Sequence, residues 1–306
     1  MADEGQVIDF PRYLAAKKTV DDRAINRYVW KQLLKSLADL RSSQPLQVLE
    51  LGCGIGTMIA RLLEWGLATN VSYLGIDSNA ENIEAAENYL LAWAKENGYH
   101  VETDTKEIFL IKKEISWQVR FQKADVITYP AHLGFYDLLI ANAFLDLIDI
   151  PSTLPRFAGW LKPNGLFYFT INFDGITIFE PEFDPKVEDK IIKLYHQSMD
   201  QRSINGRRSG DSLTGRHLFS YLKNFSAQIL SAGASDWVVF PFPEGYHADE
   251  AYFLHCILDF FERTLKYHPE LGQSELDDWL KERREQIERA QMVYIAHQLD
   301  FLGRFN

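Results

Sequence analysis

Three glycines stand close together in the stretch VLELGCGIGT, at Gly52, Gly54 and Gly56. They end a short apolar run, and the acid Glu50 precedes them. Because glycine has no Cβ, its backbone adopts positive φ and lets a ligand approach within van der Waals distance. In an open α/β sheet, ligands bind beyond the carboxyl ends of the strands, so this turn is predicted to hold one.

The segments around the turn alternate between β-rich and helical patterns. Helical spacing between the β-rich runs predicts crossover helices. Five runs predict strands, namely LQVLEL, VSYLGID, WQVRFQKADV, YDLLIANAF and GLFYFTINF. This alternation is typical of a parallel sheet. HVETDTKEIFLIKKEIS predicts an extra hairpin before the third strand. Thr19 and Asp22 resemble a capping box, which predicts one amphipathic helix from about Val20 to Arg41.

The second half of the chain is less regular. DPKVEDKIIKLYHQSMDQR predicts a helix, and SINGRRSGDSLTG predicts a long loop. A helix, a strand (WVVFPF), two further helices and a final strand (MVYIAHQLDF) follow. No repeat or Pro-rich linker divides the chain, so we expect one α/β domain over 1–306. Within it we expect an N-terminal helical cap over 1–44 and substrate-side helical insertions over 174–216 and 241–290.

With Glu50 in front, ELGCGIG resembles the first motif of the class I S-adenosylmethionine-dependent methyltransferases. Dinucleotide enzymes place GxGxxG at this turn, and the GxGxG spacing here disfavours NAD. The later motifs of the family arrive in order, at Asp77, Asp125 and Asn142. The resemblance covers roughly residues 45–170. It implies a Rossmann-like, mostly parallel seven-stranded sheet of order 3-2-1-4-5-7-6, whose last strand is antiparallel.

The resemblance also implies roles for single residues. Asp77 corresponds to the acid that accepts from the ribose hydroxyls, which suits a carboxylate because it only accepts hydrogen bonds. Asp125 corresponds to the acid that receives the adenine amino group, and Asn142 lies near the point of methyl transfer. Arg23 is our candidate for the methionine carboxylate, because a guanidinium donates two parallel bonds. The residues assigned to the cofactor are Arg23, Glu50, Gly52, Cys53, Gly54, Asp77, Ser78, Asp125, Val126 and Asn142.

Each of these residues also has a purely structural interpretation. An aspartate at a strand end often caps a helix, glycines after a strand can simply turn the chain, and Arg23 can be a solvated arginine. Their order along the chain favours S-adenosylmethionine as the cofactor.

Composition and missing motifs narrow the methyl acceptor. The net charge of −11 weighs against nucleic acid, since phosphate backbones are held by clustered lysine and arginine. NAF replaces the Asn/Asp-Pro-Pro-Tyr/Phe motif of amino methyltransferases, and no convincing set of metal ligands is present. The apolar runs are too short to span a membrane, and the acidic start argues against a targeting peptide. We therefore expect a cytoplasmic enzyme that methylates a small polar or anionic metabolite.

The inserted segments supply candidates for the acceptor site. His217 is the first choice for a general base, since the pKa of histidine lies near neutrality. NGRRSGDSLTGRH is expected to form a flap, with Gly206, Gly210 and Gly215 as joints and arginines that bind an anionic acceptor. The other candidates are Tyr195, His196, Arg207, Arg208, Arg216, Tyr246 and His247. The sequence pattern favours ordinary packing for Tyr195, which lies on an apolar stripe, and for His297, which lies in a predicted strand.

Two function classes remain open after this step. One is an active methyltransferase; the other is a non-catalytic S-adenosylmethionine-binding sensor or partner subunit. The sequence names neither the acceptor, nor the methylated atom (O, N or C), nor the oligomeric state.

Overall fold

The fold is known from a computed structural model that describes residues 8–39, 44–204 and 206–305. Within these residues the α-helices are α1 (Phe10–Ala24), α2 (Arg27–Ala38), α3 (Thr57–Glu64), α4 (Ala80–Glu96), α5 (Ile150–Trp160), α6 (Pro185–Gln201), α7 (Thr214–Asn224), α8 (Glu250–Leu265) and α9 (Gln273–Glu288). A single 3-10 turn, Leu145–Leu147, precedes α5. None of the helices in these ranges is both long and apolar enough to cross a membrane.

The strands form one ten-stranded sheet and one short hairpin. They are β1 (Leu46–Leu51), β2 (Asn70–Asp77), β3 (His100–Asp104), β4 (Glu107–Lys112), β5 (Ile115–Lys123), β6 (Tyr136–Asn142), β7 (Leu161–Glu180), β8 (Ser203–Ile204), β9 (Arg207–Arg208), β10 (Ala227–Ala234), β11 (Trp237–Val239) and β12 (Val293–Phe305). The large sheet has the order β10-β12-β7-β6-β1-β2-β5-β4-β3, with β11 beside β12.

The predicted seven-strand order lies inside this sheet. Strands β5, β2, β1, β6, β7, β12 and β10 take the places 3-2-1-4-5-7-6, and β12 runs antiparallel to β7. The predicted extra hairpin is β3–β4, which extends the sheet beyond β5. The α/β class is therefore confirmed, but the strand count is higher than expected because β3, β4 and β11 join the same sheet.

The prediction for the sixth strand was wrong. WVVFPF supplies only the three residues of β11, whereas the main neighbour of β12 at this edge is β10, with the sequence AQILSAGA. Because β10 contains many small residues, its sequence lacks the pattern typical of a strand. The structure explains one of these residues, Gly233. A Cβ on Gly233 would lie 2.5 Å from Nδ2 of Asn26, so the start of α2 approaches the strand closely there.

The N-terminal helix was also predicted wrongly, because the chain forms two helices that break at Ile25 and Asn26. Oδ1 of Asn26 accepts from the backbone N–H groups of Tyr28 (3.0 Å) and Val29 (3.1 Å) and thereby caps α2. Thr19 caps nothing and lies inside α1, where its hydroxyl donates to Glu250 at 2.6 Å. Residues 40–43, which contain the predicted end at Arg41, lie outside the described residues.

Apolar side chains of the helices cover both faces of the sheet. Helices α2, α3 and α4 pack on one face, and α5 and α7 pack on the other. A third cluster joins α1, α6, α8 and α9 beyond the long ends of β7 and β12, around Phe179, Phe253 and Trp279. This third cluster lies outside the predicted seven-strand framework and is built from the N-terminal helix and the insertions.

Candidate functional site

The glycine turn between β1 and α3 has the conformation that the sequence predicts. Gly52, Gly54 and Gly56 have φ angles of 63°, 53° and 74°, which side chains other than glycine rarely adopt. A Cβ on Gly52 would lie 2.3 Å from a ring carbon of Phe144, and one on Gly54 would lie 3.0 Å from Cδ1 of Leu14. The side chains of Phe144 and Leu14 therefore pack directly against the backbone of the turn.

Asp77 ends β2 beside this turn. Its Oδ2 accepts from the N–H of Gly54 at 3.0 Å, and its Oδ1 accepts from the N–H of Asn79 (2.9 Å) and from Nδ2 of Asn82 (3.2 Å). A carboxylate has about four acceptor positions, so Asp77 can accept from a further donor while it braces the glycine turn. Its neighbour Ser78 is exposed at the same edge.

Asp125 lies just beyond β5, which pairs with β2 in parallel register from Asn70 to Asp77. Its Oδ1 accepts from the N–H of Ile127 at 2.8 Å, its side chain is exposed, and the next residue, Val126, is buried. Because neighbouring parallel strands end at the same edge, the acids of β2 and β5 lie side by side. We call the glycine turn with Asp77 and Asp125 the cofactor edge.

The residues of the cofactor edge fit S-adenosylmethionine on two structural observations. Gly52 and Gly54 hold the chain in left-handed conformations that present bare backbone at the strand end, and both aspartates keep acceptor capacity towards hydroxyl and amino donors. If the cofactor binds here, the glycine turn with Asp77 would hold the ribose, and Asp125 with Val126 would hold the adenine.

Glu50 lies beneath the turn, and its side chain is buried. Burial raises the pKa of Glu50 to about 8, against the lowering effect of the nearby Arg61 guanidinium. The Tyr73 hydroxyl donates to its carboxyl group. Burial also raises the pKa of the Cys53 thiol well above its usual range, so this cysteine is a packing residue at neutral pH rather than a nucleophile.

Asn142 ends β6, where methyl transfer is expected. Its Oδ1 accepts from the Thr170 hydroxyl at 2.8 Å, and its Nδ2 lies 3.4 Å from Oδ2 of Asp21 in α1. Asp21 is buried and also accepts from Lys17 at 2.6 Å and from Nε1 of Trp237 at 2.9 Å. Polar groups of α1 thus lie directly beside Asn142.

The structure gives Arg23 a different contact from the one expected. Its guanidinium donates to both carboxylate oxygens of Glu250 at the start of α8, at 2.6 and 3.0 Å. The fork that we assigned to the methionine carboxylate is already matched by a carboxylate of the protein. Arg23 therefore joins α1 to α8.

His217 lies in the first turn of α7, where its Nδ1 is 2.7 Å from Oδ2 of Asp211. Its side chain is 41% exposed. His297, on β12, forms a similar pair with Asp236 at 2.7 Å, but its Nε2 also lies 3.7 Å from Asp174. The role of His217 as a base stays a prediction.

Part of the segment that was expected to form a mobile flap is packed against the rest of the protein. Gly210 and Gly215 are packing positions rather than joints, because a Cβ there would lie 2.3 Å from the carbonyl oxygen of Met199 and 2.9 Å from that of Asn172, respectively. Arg216 pairs with Asp174 at 2.9 Å, so a protein carboxylate already meets its charge. Asn205 and the side chains of Arg207 and Arg208 lie outside the described residues, and the backbones of the two arginines form β9.

The other candidates make local contacts. His196 lies 3.0 Å from the Thr177 hydroxyl, and burial lowers its pKa. The Tyr246 hydroxyl donates to the carbonyl of Met292 at 2.8 Å. His247 lies before α8, and its backbone carbonyl accepts from Glu250 at 3.1 Å.

Sequence reasoning missed the residues that lie beside Asn142, on what we call the acceptor side. They are Asp21, Lys17 and Trp237, which the hydrogen bonds of Asp21 connect. They come from α1 and β11, whose sequence patterns predict ordinary packing, so no local signal marked them.

A surface groove of about 470 Å³ lies between α8 and α9. Seven of its eight lining residues are charged: Glu262, Asp277, Leu280, Lys281, Arg284, Glu285, Glu288 and Arg289. Arg284 is already paired there with Asp259 and Glu262. The groove lies on the helices α8 and α9 rather than at the strand ends.

Comparison with known proteins agrees with the motifs. Residues 49–167 match the family described as "Methyltransferase domain". The chain is also 26% identical over 150 residues to the malonyl-[acyl-carrier protein] O-methyltransferase of Halalkalibacterium halodurans, a match that covers 49% of this chain and 47% of that protein. The chain thus spans about half the length of this curated relative.

Solved structures with a similar course of the chain include two methyltransferases. A S-adenosylmethionine-dependent methyltransferase from Thiobacillus denitrificans, in complex with S-adenosyl-L-homocysteine, is 17% identical, with a TM-score of 0.45 and coverage of 98% of this chain and 100% of that one. Geranyl diphosphate C-methyltransferase from Streptomyces coelicolor A3(2) is 11% identical, with a TM-score of 0.42 and coverage of 90% and 77%.

Proposed function

Since residues 49–167 of this chain form a methyltransferase domain of the class I S-adenosylmethionine-dependent family, we propose that the protein methylates a small polar or anionic metabolite. The observation that carries this proposal is the cofactor edge. Three glycines with left-handed φ angles lie beside Asp77, and Asp125 follows the adjacent parallel strand. This arrangement suits an adenosine with its ribose diol and adenine amino group.

When bound, S-adenosylmethionine supplies a methyl group on a sulfonium, which is already an excellent leaving group. The chain then has to bind, orient and exclude water rather than activate a leaving group. With the cofactor bound, Asp77 would accept from the ribose hydroxyls and Asp125 from the adenine amino group. Leu14 of α1 lies over the glycine turn, so we propose that the N-terminal helices form a cover over the cofactor.

The small size of the acceptor is supported by the way the acceptor side is closed. Helix α1 is joined to α8 by the pair of Arg23 with Glu250 and by the bond from Thr19 to Glu250. Helix α6 packs against α8 through the stacked rings of Tyr195 and Phe261, whose centroids lie 3.9 Å apart. Three helices connected in this way favour a metabolite over a macromolecule as the acceptor.

Polar groups support an active enzyme over the non-catalytic alternative. If the acceptor position had been lost, apolar side chains would be expected to fill the space beside Asn142. Asp21 instead lies 3.4 Å from its amide, and Lys17 lies next to Asp21.

Transfer of labelled methyl groups tests this proposal. The protein is incubated with methyl-labelled S-adenosylmethionine and pooled small metabolites, and label is followed into new products. We expect transfer by the wild type and by Asp278→Ala, whose carboxylate is exposed on α9, and little transfer by Asp77→Ala. Cofactor binding without transfer to any pool would favour the sensor or partner subunit, and absence of cofactor binding would overturn both.

A further inference from the structure

Lys17 of α1 carries an ammonium group in the interior of the protein, and its side chain is only 7% exposed. The ammonium donates to Oδ2 of Asp21, one turn further along the helix, at 2.6 Å. Its nitrogen also lies 5.3 Å from the centre of the Trp237 ring, whose Nε1 donates to Oδ1 of the same aspartate at 2.9 Å. Asp21 and Trp237 therefore fix this positive charge at one place on the acceptor side.

Two of the three N–H donors of Lys17 have no acceptor in the described part of the chain. An ammonium group has three donors, and among the described residues only Asp21 accepts from this one. The face of the Trp237 ring attracts the cation but offers no lone pair. Because burial of polar N–H groups without acceptors is costly, the two free donors indicate an acceptor that a ligand supplies.

The charges around Lys17 are also unbalanced. Arg61 of α3 is fully buried, pairs with Asp22 and lies 3.8 Å from Oδ2 of Asp21, the oxygen that Lys17 also contacts. Lys18 pairs with Asp22 as well, at 2.7 Å. Three cations thus share two carboxylates, and no third carboxylate of the described residues forms an ion pair with them. Since an unpaired charge in the interior is expensive, this surplus favours an anionic ligand.

Three other acids do not remove the surplus. The carboxylate oxygens of the buried Asp300 accept from two backbone N–H groups, at 2.7 and 2.8 Å. Glu50 lies beneath the glycine turn, and burial raises its pKa to about 8, so its carboxyl group is mostly protonated at neutral pH. Asp146, in the 3-10 turn, forms no ion pair with Lys17. The missing negative charge therefore has to come from a bound molecule.

The position of Lys17 favours the methyl acceptor over the cofactor as the source of this negative charge. Oδ2 of Asp21 lies 3.4 Å from Nδ2 of Asn142, at the end of β6. Trp237 belongs to β11, which pairs with β12, and β12 lies on the side of β6 away from β1, β2 and β5. The cofactor also brings two cationic groups, its sulfonium and its amino group, against one carboxylate. It would thus add positive charge here instead of balancing it.

We propose that Lys17 binds an anionic group of the methyl acceptor, so that the acceptor is a small metabolite with a carboxylate or phosphate group. This inference rests on the proposed methyltransferase function and narrows its polar or anionic acceptor to an anionic one. The anionic group accepts from the free N–H donors of Lys17, while Asp21 and Trp237 hold the ammonium in place. An acceptor bound in this way lies beside Asn142, where methyl transfer is expected. Lys17 is a binding residue in this account.

Acceptor pools sorted by charge test the acceptor class. Small metabolites are separated by anion exchange into a retained, anionic fraction and an unretained fraction, and each fraction is incubated with the protein and methyl-labelled S-adenosylmethionine. We expect the label to enter products of the anionic fraction. Equal or greater labelling in the unretained fraction would overturn the proposal for Lys17. Absence of transfer to both fractions would instead overturn the proposed function.

Substitutions of Lys17 test its part in binding, once the labelled product has identified the acceptor. Lys17→Gln keeps a donor for Asp21 but removes the charge. Because a charge-assisted bond to the acceptor is lost, we expect KM for the acceptor to rise at least about tenfold, with a much smaller change in kcat. Lys17→Arg keeps the charge and should restore most of the affinity. An unchanged KM in Lys17→Gln would overturn the proposal.

Lys18→Gln is the matched control. Lys18 follows Lys17 in α1 and also pairs with an aspartate one turn ahead, but this partner, Asp22, is bonded to Arg61 of α3. The control should leave KM within about twofold of the wild-type value. Calorimetry should give all variants the wild-type affinity for S-adenosyl-L-homocysteine, which shows that they are folded. An equal rise of KM in Lys18→Gln, or a loss of S-adenosyl-L-homocysteine affinity confined to Lys17→Gln, would contradict the assignment to the acceptor.

Discussion

The cofactor edge and the acceptor side are built from contacts of very different range along the chain. At the cofactor edge, the longest bond that braces the turn joins Gly54 to Asp77, 23 residues apart. On the acceptor side, Arg23 reaches Glu250 across 227 residues, and Trp237 reaches Asp21 across 216. The first region is a compact unit of strand, turn and helix, whereas the second exists only after distant segments have packed together.

This difference separates a shared platform from a specific addition. The cofactor edge needs a left-handed backbone conformation at the glycines and an acid at each of two strand ends. Few residue types meet these requirements. The acceptor side uses helices whose apolar faces also form a core, around Phe253 and Trp279. The sequence pattern of these helices therefore does not distinguish the polar residues of the acceptor side from those of an ordinary amphipathic helix.

Breaking the joint between the two regions should have the largest effect. Arg61 of α3 is fully buried and pairs with Asp22 of α1, and it lies 3.8 Å from Asp21. Arg61→Met should lower the free energy of unfolding by about 1.5–3 kcal/mol, because Asp22 loses the hydrogen bond from Arg61 and keeps only Lys18, while Asp21 keeps Lys17. Urea unfolding measures this change.

Arg284→Met is the control, since Arg284 pairs with acids at the surface of α8 and its side chain is 37% exposed. A surface pair contributes only about 0–1 kcal/mol. Similar losses in both variants would show that Arg61 does not join the two regions.

The pH dependence of stability should distinguish the buried acid of the cofactor edge. Burial raises the pKa of Glu50 to about 8 from 4.5. Between these values the unfolded chain releases a proton that the folded chain keeps, so stability falls as the pH rises from about 5 to 8. Each pH unit costs at most about 1.4 kcal/mol.

Glu50→Gln removes this proton, so its stability relative to the wild type should increase over the same pH range. Glu114→Gln, at an exposed position of the β4–β5 turn, should follow the wild-type curve. Urea unfolding at several pH values gives both comparisons. Parallel curves for wild type and Glu50→Gln would mean that Glu50 is ionised in the folded protein.

Much of the cofactor edge could be predicted because its signals are local. Gly52 and Gly54 reveal left-handed backbone, and Asp77 and Asp125 mark the ends of β-rich runs. These features depend on a few neighbouring residues and on one sheet topology. The order of the seven core strands was implied by the family resemblance that these residues carry.

The acceptor side could not be predicted in this way because its pairs are long-range. No residue near Arg23 in the sequence indicates its pairing with Glu250, so the sequence analysis considered only a solvated arginine and a cofactor ligand. Asn26 similarly ends one helix and caps the next, although apolar spacing continues through it. The small residues of β10 obscured a strand whose shape is set by contact with α2.

Alanine substitutions at two glycines with similar φ angles should have effects of intermediate size. Gly52 and Gly66 have φ angles of 63° and 71°, but a Cβ on Gly66 meets nothing within 4 Å. Left-handed backbone costs a residue with a side chain about 1–2 kcal/mol, which both alanine variants incur. Only Gly52→Ala also collides with Phe144, so it should be less stable than Gly66→Ala and should bind S-adenosylmethionine at least tenfold more weakly. Equal affinities of the two variants would show that the close contact between Gly52 and Phe144 does not affect cofactor binding.

Calorimetric titration with S-adenosylmethionine tests the central claim most directly. The account predicts binding in the micromolar range by the wild type and by Asp278→Ala. It predicts weakening by about 1–3 kcal/mol in Asp77→Ala, the typical cost of leaving polar partners unmade. Unchanged affinity in Asp77→Ala, or tighter binding of NAD than of S-adenosylmethionine, would contradict it.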